Sequence, residues 1–246
     1  MKISKKTITS DLNKIGIKKG DVLLVTSNLG VMTRGMLSAE EVLHIFLEIL
    51  GKEGTLVVPS YTPSFYSLKK SNYTFTMDAP SKTGALSNAM LQHPDSIRSR
   101  HPTNSVVAIG KKAHFIVSGH NESSAVCEAV QKLIHLNAKM ISIGISSRNF
   151  WSGGVSGFPS IHVVENELGL SKRRIFPWLQ KVHYISEKGK RQVFRRSDRG
   201  LCTKSNWKFY SYYIRDGFMI AAYVGNAYTL LINSKISYEI EKKILS

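Results

Sequence analysis

Through the first 144 residues, short unbroken apolar runs alternate with stretches whose apolar positions recur every three or four residues. Asp21-Val22-Leu23-Leu24-Val25, Gly54-Thr55-Leu56-Val57-Val58-Pro59, Val106 to Ile109 and Lys139 to Gly144 are runs of the length and composition that fill a buried strand. Helical spacing predicts helices over Lys6 to Gly16, Ser38 to Leu50, Thr83 to Leu91, Lys111 to Ser118 and Ala125 to Leu136. Thr9 or Ser10 is the candidate N-cap of the first. Ser38-Ala39-Glu40-Glu41 reads as a capping box, with Ser38 at the N-cap and Glu41 at N3, and Gly51 closes that helix. Strand, helix, strand in this order predicts an α/β fold: a central mixed, mostly parallel sheet covered by helices on both faces.

The last third is patterned differently. Lys181 to Ser186 and Arg191 to Arg195 alternate in the manner of antiparallel hairpins, and a helix is expected over Tyr210 to Gly217. This predicts a smaller, antiparallel, β-rich C-terminal portion. Pro59 to Pro80 is rich in Ser, Thr and Tyr without a period, so it reads as a long functional loop. Gly153, Gly154 and Gly157 make a flexible lead into Phe158-Pro159-Ser160-Ile161-His162-Val163-Val164-Glu165. With no internal repeat, residues 1–246 read as one domain.

Composition changes this picture in one respect. The 246 residues carry 34 Lys and Arg against 17 Asp and Glu, a net charge of +17. The excess is concentrated at 172–208, where Lys172, Arg173, Arg174, Lys188, Lys190, Arg191, Arg195 and Arg196 are interleaved with aromatic residues. Such a surface favours anionic partners: coenzyme phosphates, nucleotide sugars or an acidic membrane face. No nucleic-acid module accompanies it, so nucleic acid is disfavoured. Cys127 and Cys202 stand far apart without a CxxC pair, and no histidines lie at metal-ligand spacing, so neither a disulfide framework nor a metal is expected. The basic N-terminus leads into no apolar segment, and Phe218 to Val224 is too short to cross a bilayer. A cytoplasmic protein is expected, with the inner membrane face as a surface it could touch.

Two stretches carry candidate chemistry. Ser99-Arg100-His101-Pro102-Thr103-Asn104-Ser105 places a histidine, hydroxyls and an amide at the mouth of a buried strand, where Pro102 stiffens the backbone. A turn whose hydroxyls satisfy their own backbone is the competing reading. His162 and Glu165 stand at i, i+3 and share a face if the segment is helical. His44, His93, His114, His120, His135 and His183 suggest no role.

These pieces occur in a recognisable order: Gly20-Asp21 to Gly30, Gly54 to Tyr61, Thr83-Gly84-Ala85-Leu86, Ile97 to Val106, Ser160 to Glu165, and Val224-Gly225-Asn226-Ala227. Together they resemble the aminoglycoside 3-N-acetyltransferase family over nearly the whole chain. The resemblance implies an acetyl-coenzyme A-dependent N-acetyltransferase acting by direct transfer to an amine. It places His162 at the catalytic position, in a motif similar to Thr-Ser-Leu-His-Leu-Ala-Glu, with Glu165 orienting the ring or binding the amine. It places Ser27, Asn28, Leu29, Gly30 and Val31 at the cofactor loop, and His101, Thr103 and Ser105 beside the pantetheine arm. Pro159 stands where the family has threonine, Thr26 and Asn28 replace parts of His-Ser-Ser, and Asn104 replaces a histidine.

The charge bears on the acceptor, because a basic protein repels a polycation. The expected acceptor is therefore an amino sugar on a nucleotide or lipid-diphosphate carrier, an intermediate of surface polysaccharide synthesis. Aminoglycoside acetylation, an antibiotic-resistance activity, is the alternative. A non-catalytic RNA- or membrane-surface-binding module is the rival of a different class. Homo-oligomerisation stays open.

Overall fold

The computed structural model describes residues 3–62, 73–144, 158–169, 180–196 and 212–246. Its centre is a seven-stranded sheet built from β1 (Val22–Ser27), β2 (Thr55–Pro59), β4 (Ile97–Arg98), β5 (Val106–Gly110), β6 (Lys139–Ile143), β9 (Met219–Val224) and β10 (Ala227–Asn233), in the order β4-β5-β2-β1-β6-β10-β9. A second sheet, in the order β3-β7-β8, joins β3 (Thr74–Phe75) to the hairpin of β7 (Gln180–Ile185) and β8 (Arg191–Arg196).

The α/β class and the helix-covered faces agree with the sequence pattern, but the strand directions do not. Within the seven-stranded sheet β1–β2 and β1–β6 are parallel, whereas β4–β5, β2–β5, β6–β10 and β9–β10 are antiparallel. The sheet is mostly antiparallel. A strand buried on both faces reads as a continuous apolar run whichever way it points, so β5 carried no sign of its direction. The C-terminal strands also divide differently from expectation: β7–β8 forms the antiparallel hairpin, while β9 and β10 extend the main sheet.

Period-two alternation sends each strand into two cores. Leu23, Val25, Leu56, Val58, Val107 and Ile109 meet Ile8, Leu12, Phe46 and Met90 from α1 (Lys5–Lys14), α3 (Ala39–Leu50) and α4 (Ala85–Gln92). Leu24, Val57, Ala108, Met140 and Leu230 meet Ile116, Leu133 and Ile161 from α5 (Ala113–Val117), α6 (Glu128–His135) and α7 (Ser160–Glu167), backed by α8 (Ser234–Leu245). Full burial of each such side chain contributes about 1.5–3 kcal/mol.

Helix starts follow local chemistry. The Ser38 box forms in full: Ser38 Oγ accepts from Glu41 N, and the Glu41 carboxylate accepts from Ser38 N at 2.7 Å. For α1 the cap is Ser4, which accepts from Thr7 N, whereas Thr9 and Ser10 lie inside the helix. Starting there turns both Ile8 and Leu12 into the core. Of the helix expected over Tyr210 to Gly217, residues 210 and 211 lie outside the described residues and 212–215 are helical. Among the described residues, no helix is long and apolar enough to cross a membrane.

Candidate active site

The parallel strands β1, β2 and β6 end on one side of the sheet, and antiparallel β5 begins there. Ser60 N donates to Ser105 O at 2.7 Å, and Thr83 Oγ1 donates to Pro59 O at 2.5 Å. Beyond β1 the chain turns into the short helix α2 (Leu29–Thr33), capped by Asn28, whose Oδ1 accepts from Val31 N at 3.1 Å. Asn28 N donates to Ile143 O, tying this loop to the end of β6. Gly144 follows, at φ 79°, and a Cβ on it would sit 3.0 Å from Asn28 Cβ. The loop and β6 approach this closely because that side chain is absent. Val31 is 43% exposed beside it.

The Ser99–Ser105 stretch is the loop of the β4–β5 hairpin. Ser99 N donates to Val106 O, and Val106 N donates back to Ser99 Oγ. His101, Thr103 and Ser105 are buried. His101 Nδ1 accepts from Thr103 N at 3.3 Å and Asn104 N at 3.0 Å, so it is the unprotonated ring nitrogen. Thr103 Oγ1 donates to Asn104 Oδ1, and Ser105 Oγ donates to Ser60 O. These side chains spend the polar groups just named inside the protein.

Two neighbours of this loop gave no signal in the sequence. His120 stacks on His101 with ring centroids 4.9 Å apart and bonds through Nδ1 to Ser99 Oγ at 3.0 Å. Burial pulls its pKa down to about 4. Arg98 is also buried. It donates to Ser105 Oγ, to Met77 O and Ala79 O, and to Ser60 O, and lies over the Phe75 ring. Burial lowers its pKa to about 10, and Tyr73 and Asp78 oppose the shift. Phe194 of β8 meets the His101 ring edge-on at 5.3 Å, so the basic hairpin lies against this cluster. The remainder of the 172–208 segment, the three glycines before Phe158, and much of the Pro59 to Pro80 loop lie outside the described residues.

His162 and Glu165 lie on α7, and the helix puts them on one face. His162 Nδ1 is 3.3 Å from Glu165 Oε2, with the histidine side chain 24% exposed and the glutamate 3%. A carboxylate only accepts, so Nδ1 carries a proton, and in the neutral ring the lone pair is on Nε2. Phe158 and Ile161 share their apolar core with Val106, the residue after Ser105. Pro159 occupies the N-cap position and makes no side-chain cap bond.

Behind this pair lies a polar seam with α8. Ser160 Oγ is 2.9 Å from Ser237 Oγ, Ser237 Oγ donates to Glu241 Oε1 at 3.2 Å, and Tyr213 Oη donates to the same oxygen at 2.9 Å. Burial pushes the Glu241 carboxyl up to about 8, and the charge of Glu165 adds to the rise. Sequence periodicity missed these residues. On α8 the isoleucines Ile236 and Ile240 stay half-buried and Ile244 is exposed, while Ser234, Ser237 and Glu241 face inward. A cavity of about 780 Å³ opens at the other end of β2 and β5, lined by Gly51, Gly54, His93 and Gly110, away from all of these groups.

Known proteins share these features to different depths. Residues 24–246 match the model of the family described as aminoglycoside 3-N-acetyltransferase. The SPbeta prophage-derived aminoglycoside N(3')-acetyltransferase-like protein of Bacillus subtilis (strain 168) is 29% identical over 139 residues, 48% of this chain and 50% of that protein. Aminoglycoside N(3)-acetyltransferase III of Salmonella sp is 27% identical over 158 residues, 57% of this chain and 55% of that protein. The matched region therefore spans about half the length of these relatives. Among solved structures, sisomicin-bound AAC-VIa superposes with a TM-score of 0.78 at 19% identity, covering 100% of this chain and 98% of that one. AAC-IIIb in binary complex with CoASH gives a TM-score of 0.74 at 16% identity, covering 99% and 96%. Those likenesses establish a shared fold. The chain belongs to the aminoglycoside 3-N-acetyltransferase family.

Proposed function

We propose that this chain transfers the acetyl group of acetyl-coenzyme A to an amine of an aminoglycoside-type amino sugar, with His162 as general base. The observation that carries the reading is the His162–Glu165 pair. Glu165 fixes the ring so that Nε2, the basic nitrogen, belongs to a half-exposed side chain. An amino-sugar ammonium must lose a proton before its nitrogen can attack, and a histidine is suited to accept it near neutral pH. Nε2 takes that proton, and Glu165 stabilises the imidazolium that results.

The loop after β1 suits a coenzyme arm. The amides of Leu29 and Gly30 open α2, where a first turn leaves N–H groups without intrahelical partners, and Val31 presents apolar surface. An arm of alternating amides and methylenes matches donors beside a methyl-lined edge. Ser27, Asn28, Leu29, Gly30 and Val31 would hold it, and His101, Thr103 and Ser105 would form the rigid wall beneath. Acetyl-coenzyme A, when bound, supplies the activated acyl group.

For the acceptor, the aminoglycoside reading replaces the carrier-linked amino sugar expected from net charge. The curated relatives are named for aminoglycosides, and one structural neighbour holds sisomicin. Net charge governs the far field, which salt screens within about 8 Å, whereas a pocket binds through its own groups. The test is thiol release from acetyl-coenzyme A against a panel of aminoglycosides and nucleotide amino sugars. Turnover with an aminoglycoside is expected. Turnover with the nucleotide sugars alone would overturn the acceptor assignment, and no turnover with any amine would overturn the activity.

A further inference from the structure

We propose that Glu241, on the C-terminal helix α8, is a positioning residue for the His162–Glu165 pair, holding the first turn of α7 through Ser237 and Ser160. The inference rests on the acetyl-transfer reading and extends it to a helix that contributes none of the groups assigned to the reaction.

The geometry is a relay of side chains across one helix–helix seam. Ser160 opens α7 two residues before His162, and it is fully buried. The N-cap position before it makes no side-chain bond, so this end of the helix lacks the usual anchor. Its hydroxyl instead meets Ser237 at 2.9 Å, and Ser237 is fixed in turn by Glu241, one helical turn further along α8. Tyr213 closes the network by donating to Glu241 and lying 3.3 Å from Ser237 Oγ. A seam built for stability alone would be apolar, since buried polar groups cost free energy unless every one is bonded. Here α8 buries a serine and a glutamate more deeply than its isoleucines, of which Ile236 and Ile240 are half-buried and Ile244 is exposed. The arrangement gives up hydrophobic burial and gains a defined position for the turn that carries His162.

The state of Glu241 matters as much as its place. Held neutral at pH 7, it accepts from Tyr213 and Ser237 without setting a second negative charge near Glu165. Ionisation above pH about 8 would add that charge and strengthen the imidazolium of His162. The groups facing Glu241 are Glu165 from α7 and Tyr213 from the 212–215 segment. On the outer side of the seam, Lys242, Tyr238 and Glu167 bond one another. On α6, Lys132 pairs with Glu128.

The experiment follows the His162 ring by NMR across pH in the ligand-free protein, alongside steady-state acetyl transfer. The wild type should show the histidine's own titration and a second inflection near pH 8. Glu241→Gln should remove that inflection and keep kcat at pH 7 within about threefold, because the amide keeps an acceptor for Tyr213 and Ser237. Glu241→Ala should lower kcat roughly 10-fold while leaving the KM for acetyl-coenzyme A unchanged. Ser160→Ala, a smaller lesion, should lower kcat in the same direction if the glutamate variant does not fold. A second inflection that persists in Glu241→Gln, or wild-type kcat in folded Glu241→Ala or in Ser160→Ala, overturns the proposal. If the wild type transfers no acetyl group, the activity reading fails, and the ring titration still decides whether Glu241 couples to His162.

Discussion

Two histidines face the same question with the same ring atom and answer it oppositely. In His101, Nδ1 accepts two backbone N–H groups inside a buried loop. In His162, Nδ1 faces a carboxylate on a largely buried helix, and the ring itself stays partly exposed. The first arrangement consumes the basic nitrogen, and the second leaves one available at Nε2. A histidine is therefore a candidate base by virtue of its partner, and neither burial nor a polar neighbourhood identifies it. The clusters around the two also differ in sign. Burial makes His120 resist taking up a proton, whereas it makes Glu241 in the α7–α8 seam resist giving one up.

The largest effect expected from breaking this contrast is kinetic. His162→Ala should cut acetyl transfer at least 100-fold, as loss of a general base does, with coenzyme A affinity retained. Turnover within tenfold of wild type, in a thiol-release assay on folded protein, would remove the residue from the mechanism. His101→Ala should act on stability. It leaves a cavity and two buried amides without an acceptor, costing about 2–4 kcal/mol in urea unfolding. An unchanged midpoint would mean that the loop does not depend on that ring.

The pH responses sharpen the comparison. The folded pKa of His120, about 4, lies below its ordinary 6.5. Its contribution is therefore complete above pH 6.5 and is lost as the pH falls toward 4, up to roughly 3 kcal/mol. Glu241 runs the other way: its folded pKa is raised from 4.5, so stability present below pH 4.5 is lost as the pH rises toward 8. Thermal unfolding of His120→Phe should show a flatter pH dependence than wild type between pH 4 and 6.5, and Glu241→Gln a flatter one between pH 4.5 and 8. Parallel curves for either variant would refute the corresponding assignment. The smallest effect belongs to Tyr213→Phe, which removes one donor from Glu241 and should cost about 1 kcal/mol. A calorimetric scan of that variant matching wild type would show the bond to be idle.

What the sequence disclosed follows from where the information lies. The Ser38 box is wholly local, and it formed as spelled. Strand positions were legible because apolar runs such as Leu56-Val57-Val58 serve two cores at once. Direction was not legible, because pairing is decided by connections: the β4–β5 hairpin turns β5 back against β2. On the site, the i, i+3 spacing of His162 and Glu165 foretold a shared face. The seam behind them stayed hidden because the isoleucine spacing of α8 gives no sign that the polar Ser237 and Glu241 are among its most buried positions. His120 and Arg98 were missed for a related reason, since their partners lie across loops and spacing carries no trace of them.

The turn between β9 and β10 has a consequence for the order in which the molecule can be assembled. Gly225 N donates to Asp11 Oδ2, 214 residues earlier, and Asn226 N donates to Met32 O. At φ 58°, a side chain on Gly225 would come within 2.5 Å of that same Met32 carbonyl, so the contact admits glycine alone. During synthesis Asp11 meets this partner only after residue 225 has cleared the exit tunnel. Closing so wide a loop carries an entropic cost before it yields any contact, and folding slows as contacts become less local. Most of the inward face of α1 can pack on α3 well before that closure, so the contact with the β9–β10 turn is the last part of it to close.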